Sequence, residues 1–198
     1  SWTWAEAAVE VRALACGLKA LGVEEGDKVI ICGDNRPRLY WSMTAIQAAG
    51  GIPVPVYQDS GAEEMQYIYE HAEAKFSIVE DQEQVDKILE IKDNLPALQQ
   101  IIYDDTRGLR NYDQPFLHEF DAVQAKGRKY DTDNPSFYES NIAAKSGSDV
   151  CIMLYTSGTT GRPKGVMLTN DNLIITAQNC SELEGITDQD SILAYLPM

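Results

Sequence analysis

Four times in the first 103 residues, a segment with helical spacing gives way to a short apolar run, and that alternation leaves few architectures open. Thr3-Trp4-Ala5-Glu6 has the form of a capping box, with Thr3 as N-cap and Glu6 reaching back to it. Behind it Ala8, Val11, Leu14, Ala15 and Leu18 recur at helical intervals, and Gly22 follows as a terminating glycine. A strand is expected at residues 28–32. The turn cluster Gly33-Asp34-Asn35-Arg36-Pro37 then opens a helix, with Leu39, Met43 and Ile46 on one face and a stop at Gly50-Gly51. In the next strand, residues 52–57, Pro53 and Pro55 remove two ladder donors, so the strand belongs at a sheet edge or is irregular. Ser60-Gly61-Ala62-Glu63 reads as a second capping box, starting a helix with Met65, Ile68, Tyr69 and Ala72 inward. Strand at 76–80, helix at 81–91 and strand at 100–103 complete the series. The expected fold is α/β, a mostly parallel sheet with helices on both faces and right-handed crossovers.

From residue 104 to 148 the patterning loosens. Residues 104–108 and 126–135 are polar and turn-rich, around a short helical piece with Phe116, Leu117, Phe120 and Val123; residues 135–144 form one more helix. Residues 150–155 are an unbroken apolar run, the pattern of a strand buried on both faces. Residues 165–168 read as a strand returning beside it. Asn170 or Asp171 caps a helix carrying Leu173, Ile174, Ala177 and Leu183, with Gly185 near its end, and residues 191–196 form a last strand. The reading divides the chain into an α/β unit (1–103), a connector (104–148) and the start of a second α/β unit (149–198) with an incomplete sheet. A strand cut at its end is an unusual terminus, so the chain is expected to be part of something longer.

The balance of 16 basic against 31 acidic residues, a net charge of −15, argues against nucleic acid and against an anionic membrane surface as partners. Cys16, Cys32, Cys151 and Cys180 form no C-x-x-C pair, and the first three sit in apolar patterns as small buried hydrophobes of a reducing compartment. Asn179-Cys180-Ser181 matches a glycosylation acceptor by chance, within a helix. No stretch approaches the length of a membrane span, so a soluble, cytoplasmic chain is expected, peripheral at a membrane at most.

On so acidic a chain, residues 156–165 stand out: Thr156, Ser157, Gly158, Thr159, Thr160, Gly161, Arg162, Pro163, Lys164, Gly165. The glycines let backbone come close to a ligand, hydroxyls and amide N–H groups make a concave array of donors, and two cations add charge. Such a loop suits a polyanion. It is not a Walker A loop, because Pro163 precedes Lys164 where glycine is required and Gly165 follows where the Mg²⁺-binding hydroxyl is required. The string YTSGTTGRPKG (155–165) instead resembles the phosphate-binding signature of the acyl-adenylate-forming (AMP-binding) superfamily. TWAEAAVEVRALACGLKALGVEEGDKV (3–29), GDNRPRLYW (33–41) and AAGGIPVPVY (48–57) look like early segments of that superfamily, most similar to its long-chain fatty acyl-CoA synthetase branch.

The resemblance implies a two-step reaction. A carboxylate, expected to be a fatty acid, attacks the α-phosphate of ATP with loss of pyrophosphate, and the thiol of coenzyme A then takes the acyl group. Thr156, Ser157, Gly158, Thr159, Thr160 and Gly161 would contact phosphate, and Lys164 would be the charged arm over the leaving group, donors acting without covalent chemistry. Mg²⁺ would bridge the phosphates, with at most one loop hydroxyl as protein ligand. The aromatic/histidine segment, the adenine- and ribose-binding elements, an acidic metal ligand and a mobile domain with its lysine would all lie past Met198. The chain alone is therefore expected to be inactive. Two other readings stay open: an adenylation domain loading a carrier protein or amino acid, and a non-catalytic module binding nucleotide or a partner. Self-association is expected from exposed strand edges. His71 and His118 read as ordinary residues, and no Cys/His/Asp spacing makes a metal site.

Overall fold

The computed structural model describes residues 1–156, 162–191 and 193–194. Helix α1 (Trp4–Ala20) begins at the Thr3–Glu6 capping box, and both reciprocal bonds are made. It ends where Gly22, at φ 101°, lets the Gly22 and Val23 amides turn back to the Lys19 and Leu18 carbonyls, a paired closure of the last turn. Strand β1 (Lys28–Cys32), helix α2 (Pro37–Ala49) and strand β2 (Ile52–Val56) follow. They are succeeded by α3 (Ala62–Ala72), β3 (Phe76–Val79), α4 (Gln82–Ile91) and β4 (Gln100–Tyr103). Strand β5 (Leu117–Glu119), helix α5 (Phe120–Asp133) and helix α6 (Phe137–Ala143) close this part.

Among the described residues the first five strands form one parallel sheet in the order β2-β1-β3-β4-β5. As its prolines require, β2 lies at the sheet edge, ladder-paired only to β1. Strand periodicity sorts the core into two layers. Val29 and Ile31 of β1 pack with Leu14, Leu18, Leu39, Ile46 and Phe120 of α1, α2 and α5. Ile30 and Cys32, one residue out of phase, pack with Met65, Ile68, Tyr69, Val85 and Ile88 of α3 and α4.

Strand β6 (Val150–Thr156) and strand β7 (Lys164–Thr169) form a separate antiparallel pair, and α7 (Asn170–Glu184) follows. Cys151, Ile152 and Met153 are buried, as an apolar run predicts, but Leu154 and Tyr155 are half-buried and Thr156 is exposed. The hairpin docks on the first unit. Strand β6 packs near β2, and Gln47 of α2 donates from Nε2 to the Cys151 carbonyl at 2.8 Å.

Five expectations are corrected. Ser60 does not cap α3: Gly61 is its N-cap, and no side chain bonds there. Neither Asn170 nor Asp171 caps α7; Thr169 does, in a capping box with Asn172. Residues 126–133 are helical rather than turn-rich, because Phe120, Val123, Gln124 and Gly127 make a buried stripe at helical spacing. Two of those four are Gln and Gly, so the stripe carries little apolar signal. Gly127 lies where any Cβ would come 1.8 Å from the Ala13 carbonyl oxygen, and a Cβ on Gly17 would sit 2.3 Å from that of Val123. Glycines thus let α1 and α5 cross backbone to backbone. The fourth correction is β5: Leu117 and its neighbours, read as helical, join the sheet through β4. Of the expected strand at 191–196, Ser191, Leu193 and Ala194 are not in a strand, and the other positions lie outside the described residues.

Candidate functional site

In a sheet of this order, the crevice beyond the carboxyl ends of β1 and β3 is the ordinary place for a ligand. Here protein fills it. Glu80, nearly buried, accepts from the Asp34 amide at 2.6 Å and from Arg36 Nε at 2.8 Å. A Cβ on Gly33 would come 2.6 Å from both Glu80 Cβ and Leu39 Cδ1. The amides of Asp104 and Asp105 close the same corner on the Glu80 carbonyl. The site must lie elsewhere.

The β6–β7 hairpin offers a candidate. The ladder pairs Leu154 with Val166, Tyr155 with Gly165 and Thr156 with Lys164. Directly opposed residues in an antiparallel pair share a face, so the Thr156 hydroxyl and the Lys164 side chain start side by side at the mouth of the loop. The loop positions Ser157, Gly158, Thr159, Thr160 and Gly161 lie outside the described residues. Lys164 is exposed, and no ion pair to it occurs among the described residues. Gly165 leaves room for its neighbour: a Cβ there would stand 3.4 Å from Tyr155 Cζ and 2.9 Å from Met153 Cε.

Helix α3 meets both sides of the hairpin. The Tyr67 hydroxyl donates to the Pro163 carbonyl at 3.0 Å, and Tyr155 Oη lies 2.7 Å from His71 Nδ1. The Tyr67 and His71 rings stack with centroids 5.5 Å apart, and the Arg162 guanidinium sits 5.5 Å over the other aromatic partner of that stack, Tyr67. Burial, and secondarily the Tyr67 phenol, push Tyr155 up to about 12, so it stays a neutral O–H near neutral pH. Where the carboxyl ends of β2 and β6 approach α3, a cavity of about 440 Å³ opens, walled by Pro55, Val56, Tyr57, Tyr155, Thr156 and Pro163 among others.

Sequence reasoning singled out Thr156 and Lys164 but missed Tyr67 and His71. Their only signal was i, i+4 spacing beside the buried stripe of α3. His118 is hydrogen-bonded to Gln100 at 2.6 Å, away from the hairpin, and burial first, then Lys126, pulls its pKa down. Among the described residues no group of three or more His, Cys, Asp or Glu could hold a metal ion. No helix among the described residues is long and apolar enough to cross a membrane.

Comparison with known proteins adds relatives to this geometry. The chain is 34% identical over 174 residues to the long-chain-fatty-acid–CoA ligase FadD15 of Mycobacterium bovis, covering 87% of this chain and 27% of that protein. It is 34% identical over 196 residues to the long-chain-fatty-acid–CoA ligase ACSBG2 of Xenopus laevis, covering 96% of this chain and 25% of that protein. The chain thus spans about a quarter of the length of the curated relatives it matches. In fold it is similar to the crystal structure of a long-chain-fatty-acid-CoA ligase (FadD1) from Archaeoglobus fulgidus, with a TM-score of 0.82 at 22% identity, over 100% of this chain and 36% of that one. A family model described as AMP-binding enzyme matches residues 1–198. The loop string, the α/β scaffold under it and this full-length match converge: the chain belongs to the AMP-binding enzyme family.

Proposed function

We propose that the chain supplies the N-terminal part of an ATP-dependent acid–thiol ligase, one that adenylates a fatty acid with release of pyrophosphate and passes the acyl group to coenzyme A. The observation that carries this reading is the hairpin. A loop of small, donor-rich residues is closed at its base by the Thr156–Lys164 pair, on a chain whose net charge is −15. In this reading residues 1–103 and 104–148 are scaffold and residues 149–198 carry the loop. Thr156, Ser157, Gly158, Thr159, Thr160 and Gly161 hold the β- and γ-phosphates, and Lys164 places its ammonium against the leaving pyrophosphate. Charge builds on the phosphate oxygens as the bond to the α-phosphorus breaks, so fixed donors lower the barrier without proton transfer. Mg²⁺ bound to the nucleotide would neutralise phosphate charge, with at most one loop hydroxyl as its protein ligand. The enzyme would work in the cytoplasm or at a membrane surface.

Carboxylate-dependent ATP–pyrophosphate exchange tests the proposal. The full-length protein should exchange label when a long-chain fatty acid is present, and the 198-residue chain alone should not. Lys164→Ala should slow exchange about 10²-fold, the typical loss of one preorganised donor. Exchange that ignores both the fatty acid and Lys164 would overturn it. Exchange with an amino acid, or transfer only to a carrier protein, would move the chain to the carrier-loading class.

A further inference from the structure

The geometry points to a further pair of positioning residues: we propose that Tyr67 and His71 of α3 act as a clamp that sets the two ends of the phosphate-binding loop from the first α/β unit. The inference rests on the proposed ligase function and names residues outside the loop string. Each arm of the hairpin is held once, next to the Thr156–Lys164 pair that ends the ladder. Tyr155, which His71 meets, directly precedes Thr156; Pro163, which Tyr67 meets, directly precedes Lys164.

The second contact has the larger geometric consequence. The Pro163 carbonyl and the Lys164 amide belong to one planar peptide unit. A hydrogen bond that fixes the direction of the carbonyl therefore fixes the plane from which the Lys164 backbone departs, and with it the start of the side chain. Thr156 opposes Lys164 across the ladder, so the first contact sets the partner position from the other strand. Without these bonds the hairpin still has its own ladder, which reaches the Thr156–Lys164 pair, and its contacts with β2; the Tyr67 bond adds a hold on the Pro163 carbonyl, one position beyond that pair. Tyr67 and His71 are rigidly presented. They stand one helical turn apart on α3 with their rings stacked, and α3 is anchored in the core through Met65, Ile68, Tyr69 and Ala72. Tyr67 also carries Arg162 over its ring, which keeps a second cation of the loop beside the same anchor. Phosphate donors lose much of their effect when displaced by an ångström or less, so a clamp here acts on nucleotide affinity and rate, not on the fold.

The test uses the full-length protein with Tyr67→Phe, His71→Ala and His71→Asn. The first removes one hydroxyl and keeps the stacked ring. The last keeps an amide group near the place of Nδ1. Tyr67→Phe and His71→Ala should raise the KM for ATP about fivefold, the loss of one ordinary hydrogen bond, and leave the KM for the fatty acid and the thermal midpoint unchanged. His71→Asn should recover most of the difference. Hydrogen exchange gives a readout independent of activity: amides at residues 164–166 should exchange about fivefold faster in Tyr67→Phe, with those of β1 unaffected. If the wild type lacks pyrophosphate exchange but the amides respond as stated, the ligase reading fails and the clamp stands. If the wild type is active while the KM for ATP and the 164–166 amides are unchanged in Tyr67→Phe and His71→Ala, the clamp is overturned. A fall in thermal midpoint with unchanged KM for ATP would also overturn it, because that is the mark of a merely structural contact.

Discussion

Tyr69 and His71 sit two positions apart on the same helix and meet opposite environments. Tyr69 faces the core, where its hydroxyl lies 2.6 Å from Ser77 Oγ of β3 and burial pushes its pKa up, so it stays neutral. A hydroxyl pair shut away from water is costly to halve. Tyr69→Phe should lower unfolding free energy by roughly 1–3 kcal/mol, because Ser77 is left without a partner. Adding Ser77→Ala should return most of that loss, since replacing both partners removes the desolvated group. Urea unfolding of the three variants checks this, and a double variant less stable than Tyr69→Phe would contradict it. Thr156 and Lys164 differ from such residues: both are exposed, opposite one another at the end of a ladder. As candidates both were legible from type and order alone. The hydroxyl of Tyr67 was not, because nothing in the string brings residue 67 to residue 163.

Among elements, α1 and α5 show how a polar helix hides. Their backbones cross at Gly17 and Gly127, and Arg12 then binds outward from α1 to two helices at once. Its Nε donates to Asp131 of α5 at 2.7 Å, and its Nη1 meets Glu139 of α6. Hydrogen bonding to Arg12 is the main cause that holds both carboxyls below their ordinary values. A carboxyl whose folded pKa is depressed stabilises the fold fully above its unfolded value and loses that contribution as pH falls through the folded one. Replacing Arg12 with Met should therefore destabilise the protein at pH 7. The gap from wild type should shrink as pH drops through and below the ordinary carboxylate range of about 4. Urea midpoints across that range measure it; a gap constant with pH would show that packing of the Arg12 stem, not charge, is what the variant lost.

For the whole molecule, the two-layer unit buries its apolar residues well, while β7 and α7 do not. Val166, Met167, Ile174, Ile175 and Leu183 are exposed, a concentration of apolar surface in the last part of the chain. Purified by itself, the 198-residue chain should self-associate, with a sedimentation coefficient that rises with concentration. Met167→Lys with Ile174→Lys should reduce that rise. A monodisperse monomer at every concentration would overturn the expectation. At this scale Arg162 and Lys164 are conspicuous as two closely spaced cations on a chain of net charge −15.

Sequence alone determined what depends on near neighbours. The Thr3 capping box, the Gly22 stop, Pro37 at a helix start and the edge place of a proline-bearing β2 are all set within a few residues, so local chemistry suffices. Tertiary structure decided whatever joins distant segments. Residues 117–119 become a strand only because β4 offers free ladder groups, and Gly127 lies in a helix because Ala13 comes within reach of it. Tyr67 and His71 reach the mouth of the hairpin only once α3 and β6 are packed together. A contact between residues far apart in the chain leaves no period or spacing to read, since its partners are chosen by the fold and not by the segments that carry them.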